Sequence, residues 1–166
     1  MKTQKLTLAA LFIAIATLTG HVLYIPAGFS KCFPIQHTIN ILAAVLLGPW
    51  YGVSIAFVTS LLRNILGTGT LLAFPGSMIG ALLAGVLYQK TGRQVMASLG
   101  EVVGTGFLGA LAAYPIVKLV MGQETALFFY VVPFLTSTIG GTIIGNLILK
   151  ALASLKLSKT NSERNI

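Results

Sequence analysis

The sequence predicts an all-α integral membrane protein, a bundle of six transmembrane helices, and three observations carry the prediction. First, 55% of the 166 residues are hydrophobic, only 8% are charged, and the mean hydropathy is +0.90. A soluble domain carries roughly a quarter charged residues, so this chain could not cover its own surface in water. Second, apolar runs follow one another along the chain, and at about 20 residues per span plus a short turn the length holds about six. Third, the 11 Lys and Arg, set against 3 acids, stand between the apolar runs, where loop charges of membrane proteins collect. A soluble enzyme, a nucleic-acid-binding domain and a disordered main body are excluded by this arithmetic.

The first helix is placed at about Leu6–Tyr24, ended by Pro26 and Gly28. Lys2 and Lys5 followed by Leu6 to Thr19 resemble a secretory signal, but the apolar stretch runs on to about Ile25, so an uncleaved span is the simpler account. A loop, Ala27–Pro34, leads to a second helix at about Ile35–Leu47, broken by Gly48-Pro49. At about 1.5 Å per residue this helix is too short to cross a ~30 Å core unaided. It must either start within the loop or complete its span together with it. The third helix runs from about Trp50 to Leu66 and turns at Gly67-Thr68-Gly69-Thr70. The fourth spans about Leu71–Tyr88, the fifth about Ala97–Val120 and the sixth about Ala126–Leu152. Residues 1–155 are read as one transmembrane domain and 156–166 as a polar, frayed cytoplasmic tail.

Six spans put both termini on one side. With the N-terminus inside, Lys2, Lys5, Lys90, Arg93, Lys150, Lys156, Lys159 and Arg164 face the cytoplasm, and only Lys31, Arg63 and Lys118 fall towards the other side. That asymmetry predicts an N-in, C-in topology in the plasma membrane. Trp50 and Tyr51 then meet the inner interface and Tyr24 the outer one. Small residues recur four apart at Ala10/Ala14, Gly76/Gly80, Ala81/Gly85, Gly100/Gly104 and Gly141/Gly145, a spacing that lets helices approach closely in lipid.

Polar groups in hydrocarbon are costly and need partners. Gln36, His37 and Asn40 share one helical face near the outer mouth, because positions three and four apart are neighbours. They serve either as glue between helices or as the polar wall of a small-molecule pocket. Arg63 and Asn64, late in the third helix, lie near the same outer face; the arginine either snorkels or meets a ligand. Glu101, the one acid within a predicted span, is placed about a turn into the fifth helix. It could pair with Arg93 or Lys90, cap the helix or bind substrate, and the structural roles are favoured. Phe74, Tyr114, Tyr130 and Phe134 could stack on a flat ligand, although single aromatics mostly just pack. Thr136, Ser137 and Thr138 can bond back to their own helix, and Asn146 is read as packing glue.

The chain has no phosphate-cradling G-x-x-x-x-G-K-[ST] loop, no H-E-x-x-H and no G-x-S-x-G, and it contains no aspartate. It cannot hydrolyse ATP by a P-loop, and with two isolated histidines and a single cysteine no metal or other cofactor is expected. The remaining functions are a binding and translocation subunit powered by others, a stand-alone ion-coupled carrier relying on Glu101, and a membrane-embedded enzyme, built on His37 with Cys32 or Asn40, or structural assembly factor.

Gly28 to Pro34 (GFSKCFP) with Gln36-His37, Ala43 to Trp50 (AAVLLGPW), Leu61 to Gly80 (LLRNILGTGTLLAFPGSMIG), and Glu101 to Gly106 with Tyr114-Pro115 resemble the ThiW family over nearly the whole chain. That family is similar to the substrate-binding (S) components of energy-coupling factor (ECF) vitamin transporters. The resemblance implies a six-helix S-component fold with ligand captured on the outer side beneath the loop after the first helix. It also implies a transmembrane T subunit and two cytoplasmic ATPases as partners, with Ala10 and Ala14 docking on the T subunit, and hydroxyethylthiazole, a thiamin precursor, as substrate. On that reading Phe33, Phe74, Tyr114 and Tyr130 supply ring faces, and Gln36, His37, Asn40 and Asn64 supply polar contacts.

Overall fold

Chain order alone already separates the molecule into its working parts. In the computed structural model, which describes residues 2–27 and 30–164, helix α1 (Lys2–Val22) leads into an antiparallel hairpin of β1 (Ile25–Ala27) and β2 (Ser30–Cys32). Ile25 pairs with Cys32 and Pro26 with Lys31. Then follow α2 (Pro34–Leu46), α3 (Pro49–Ile65), α4 (Ala73–Thr91), α5 (Gln94–Val120) and α6 (Val131–Arg164).

Each predicted helix is present, with shifted ends. The segment expected as a loop, Ala27–Pro34, is in part the hairpin; Gly28 and Phe29 lie outside the described residues. The last helix begins at Val131 rather than near Ala126, after a short turn, and continues to Arg164 through the stretch read as a frayed tail. No Gly or Pro lies between Lys156 and Arg164 to stop it. α5 is continuous but widens into π-helical turns at Gly104–Gly109 and again at Ile116–Val120, directly after Pro115. A proline has no N–H for the helical ladder, and such a widening is a common local answer to a disturbed ladder.

Among the described residues, three stretches are long and apolar enough to cross a membrane: Lys2–Gly20, Gln94–Val120 and Val131–Leu155. α2 is apolar but has only 13 residues. It is also the centre of the bundle, packed against all five other helices. Ten of its residues are buried, the polar Gln36, His37 and Asn40 among them, as a central helix surrounded on all sides requires.

Four of the five small-residue pairs sit where backbones touch. A Cβ on Gly85 would stand 2.5 Å from the Pro49 Cα, one on Gly104 2.7 Å from the Gly80 Cα, and one on Gly141 2.5 Å from the His37 Cβ. Ala10 and Ala14 are the exception, for both are exposed on the outside of α1. The molecule is otherwise inside-out by the standards of water. Leu11, Leu18, Phe57, Phe107 and Ile143 are exposed, while Gln36, His37, Asn40, Ser60, Arg63, Ser77, Glu101 and Thr105 are buried. Lipid as solvent reverses the usual preference and drives polar groups to the bundle interior.

Candidate ligand-binding site

Pro34 sets φ for the start of a helix, and so places Gln36 and His37 in the first turn of α2, just past the hairpin. α3 brings Arg63 to the same level from its far end, and the turn after it closes over that arginine. The N–H groups of Thr68 and Gly69 both donate to the Arg63 carbonyl, at 2.8 and 3.0 Å. Gly67 makes this turn possible at φ 69°, in the left-handed region that glycine enters without penalty.

Arg63 does not snorkel. It is 1% exposed, donates to Gln36 Oε1, and donates to the Thr68 carbonyl at 3.0 Å. Its guanidinium lies 4.0 Å from the centre of the Phe33 ring, a stacking geometry that suits its flat, weakly hydrated cation. Gln36 continues the network through Ser60 (3.5 Å), whose hydroxyl is 3.1 Å from that of Ser77 on α4.

Between these groups lies a cavity of about 430 Å³, within the range of small-molecule sites. Phe33, Gln36, His37 and Arg63 form one side, the turn Gly67–Thr70 the rim, Ser77 and Thr105 the floor, and Tyr130 just before α6, with Phe134 and Ser137 on it, the other side. Among the described residues its wall contains two cations, Lys31 and Arg63, and no carboxylate. Lys31 also stands over the Tyr24 ring at 4.5 Å.

Below the floor lies Glu101, fully buried. Its Oε1 is 2.8 Å from His37 Nδ1, accepts from Asn40 Nδ2 at 2.9 Å, and is 3.1 Å from the Thr105 hydroxyl. Oε2 has no hydrogen-bond partner among the described residues. The expectation that Glu101 pairs with Arg93 or Lys90, or caps its helix, is overturned. α5 begins at Gln94, so Glu101 is about two turns in, facing α2 rather than the helix end.

The structure brings Phe33, Gln36, His37 and Tyr130 together in the cavity wall. Asn40 lies one layer deeper, tying the Ser77 carbonyl (3.2 Å) to Glu101. Asn64, Phe74 and Tyr114 are not in the wall. Asn64 donates to the carbonyls of Ser60 (2.8 Å) and Thr70 (3.0 Å), which pins the rim turn. Phe74 packs on Phe57 with ring centres 5.7 Å apart, and Tyr114 faces Lys118 at 6.0 Å. Sequence reasoning assigned no site role to Thr105, weighed Phe134 only as one of four rings that could stack on a ligand, and gave Glu101 mainly structural roles; Phe134 does reach the cavity wall. The available signal was that the lone acid of a predicted span must find a partner; that partner came from another helix. Ser137 bonds back to Pro133 as expected, and its oxygen also accepts from the Phe33 N–H at 3.2 Å. Asn146 does join helices, through Ser98 at 2.6 Å.

A Cys32–His37 dyad is not formed. The thiol points to the Pro133 carbonyl at 3.4 Å while the imidazole is held by Glu101. Among the described residues no three His, Cys, Asp or Glu side chains gather as metal ligands.

This inside-out helical bundle has the fold of a solved transporter S component. The structure described as "Structure and mechanism of the S component of a bacterial ECF transporter" matches with a TM-score of 0.78 at 18% identity, over 93% of this chain and 98% of that one. Residues 6–155 match the family described as "Thiamine-precursor transporter protein (ThiW)", and the chain belongs to the ThiW family. It is a transporter, not an enzyme. No curated protein is a significant match.

Proposed function

We propose that this chain is the membrane-embedded, substrate-binding subunit of an ECF importer and that the cavity beneath the hairpin takes hydroxyethylthiazole. The observation that carries this reading is the composition of the wall. Phe33, Tyr130 and Phe134 offer ring faces; Gln36, His37, Ser77 and Thr105 offer hydrogen bonds; Lys31 and Arg63 stand at the rim side without an acid in the wall. Hydroxyethylthiazole is a small, flat, nearly neutral ring with one hydroxyl, and it asks for those partners. Whole thiamin carries a fixed cation, which two basic groups repel and which would want a carboxylate or an aromatic cage.

On this reading all six helices cross the bacterial or archaeal plasma membrane, α2 completing its span through the hairpin. Both termini are cytoplasmic, residues 1–155 form the transmembrane unit, and 156–166 form its tail. Ala10 and Ala14, exposed on α1, leave a flat face on which a T subunit can pack closely. ATPase subunits supply the energy, as the chain has no P-loop of its own. Calorimetry on detergent-purified protein tests the ligand: hydroxyethylthiazole binds and thiamin binds at least tenfold more weakly, whereas preference for thiamin would refute the assignment.

A stand-alone ion-coupled carrier is the second reading, favoured by one observation, the buried Glu101 and its contact with His37. Uptake into vesicles that hold this chain and no ATPase would establish it.

A further inference from the structure

The two ring nitrogens of His37 have different surroundings. Nδ1 lies 2.8 Å from Glu101 Oε1. Nε2 has no hydrogen-bond partner among the described residues and is not closed off by neighbouring atoms, and the ring forms part of the cavity wall. Oε1 also accepts from the Asn40 amide at 2.9 Å. That amide is oriented by its second bond, 3.2 Å to the Ser77 carbonyl, which can only accept. Oε1 is the acceptor for that amide, and a carboxylate oxygen has no hydrogen to give, so the proton of the His37 contact sits on Nδ1. A neutral imidazole protonated there has a bare lone pair at Nε2.

We infer that Glu101 is a positioning residue that fixes the His37 tautomer, so that the cavity presents an acceptor and its ligand must bring an O–H or N–H donor to Nε2. The inference rests on the reading that the cavity takes hydroxyethylthiazole, whose hydroxyl is that donor. The ring nitrogen of the ligand, an acceptor, is then turned away from His37 towards the donors of Lys31 and Arg63. Because every contact of the carboxyl group runs through Oε1 and Oε2 has none, the role needs an acceptor at one position and not a charge. A glutamine carbonyl can fill it; a methionine cannot.

The test is calorimetry on the purified full chain with hydroxyethylthiazole and its methyl ether, which keeps the ring and an oxygen acceptor but has no O–H. Wild type binds the alcohol at least tenfold more tightly than the ether, the scale of one lost buried hydrogen bond. Glu101→Gln keeps that preference. Glu101→Met frees the ring proton to sit on Nε2, and the two compounds then bind within about threefold of each other. Because the ether's extra methyl is present in every protein, the change between variants isolates the donor effect. Nitrogen-15 spectra of histidine-labelled protein, with His21→Gln used to assign His37, read the tautomer without any ligand: the proton is on Nδ1 in wild type and in Glu101→Gln. Equal affinity of wild type for both compounds, or a proton found on Nε2, overturns the inference and leaves the thiazole reading standing. Binding of neither compound overturns the thiazole reading, while the spectrum still decides the tautomer. Should Glu101→Met fail to fold, the wild-type pair of affinities and the wild-type spectrum carry the decision.

Discussion

His37 Nδ1 on α2 lies 2.8 Å from Glu101 Oε1 on α5, a contact across 64 residues of sequence. It joins the cavity wall to a fully buried layer that also holds Asn40 and Thr105. Removing the acceptor strands several donors at once, and each buried unsatisfied group costs about 1–3 kcal/mol. Glu101→Ala is expected to lose about 3 kcal/mol or more of stability, read as a lowered melting temperature in detergent. Glu101→Gln, which keeps an acceptor, is expected to lose much less. The same pair separates the two functional readings, since an ion-coupled carrier loses uptake in Glu101→Gln and a substrate-binding subunit keeps it.

Replacing His37 with Ala removes a wall residue whose free nitrogen faces the cavity. The thiazole alcohol should bind about 1–3 kcal/mol more weakly, the cost of one buried hydrogen bond left unmade. Asn40→Ala acts indirectly, by releasing Glu101 and the Ser77 carbonyl, and should weaken binding over the same range. Unchanged calorimetric affinity in both variants would take this face of α2 out of the site.

Gly80 is the close-approach point between α4 and the buried carboxyl group. A Cβ there would stand 1.9 Å from the Thr105 hydroxyl oxygen and 2.7 Å from Glu101 Oε2. Gly80→Ala therefore forces the helices apart or twists Thr105 away from its bonds. Overpacking of this kind costs about 1–3 kcal/mol, and thermal melting in detergent should show it. A variant as stable as wild type would mean that the contact is looser than the geometry indicates.

Arg63 makes its contacts as a fork: Gln36 Oε1, the Thr68 carbonyl and the Phe33 ring. A lysine brings the charge but neither the flat face nor the second arm. Arg63→Lys is expected to bind hydroxyethylthiazole about tenfold more weakly, with the rim turn loosened. Hydrogen exchange at the Thr68 and Gly69 amides, which donate to the Arg63 carbonyl, reports that loosening.

Leucine at both Ala10 and Ala14 adds bulk to an exposed face of α1. Ligand affinity should stay within about twofold of wild type, because neither residue approaches the cavity wall. Co-purification with a T subunit should be lost, since close helix approach in lipid depends on small residues. Retained co-purification would move the docking face elsewhere.

Much of this protein is written in composition and spacing. Too few charges to coat a soluble surface, apolar runs of helical length and breaks at Gly48-Pro49 and Gly67-Thr68 were enough to place six helices in order, because these are local properties of the chain. The Gln36–His37–Asn40 face was legible for the same reason, being set by helical pitch alone. What lay across the bundle was not. Glu101 looked like a helix-end acid because its nearest charged neighbours in sequence are Arg93 and Lys90, yet close contacts such as Gly80 against Gly104 seat α5 on α4, and α2, packed on both, receives the acid at His37. Arg63 looked free to reach water until the turn after α3 folded over it, and Asn64, Phe74 and Tyr114 had the right chemistry for a site but were turned to other neighbours. Helical periodicity determines which residues share one face; only the packing of α2, α4 and α5 decides which faces meet, because a polar group buried in lipid takes its partner from whatever element the bundle brings within 3 Å.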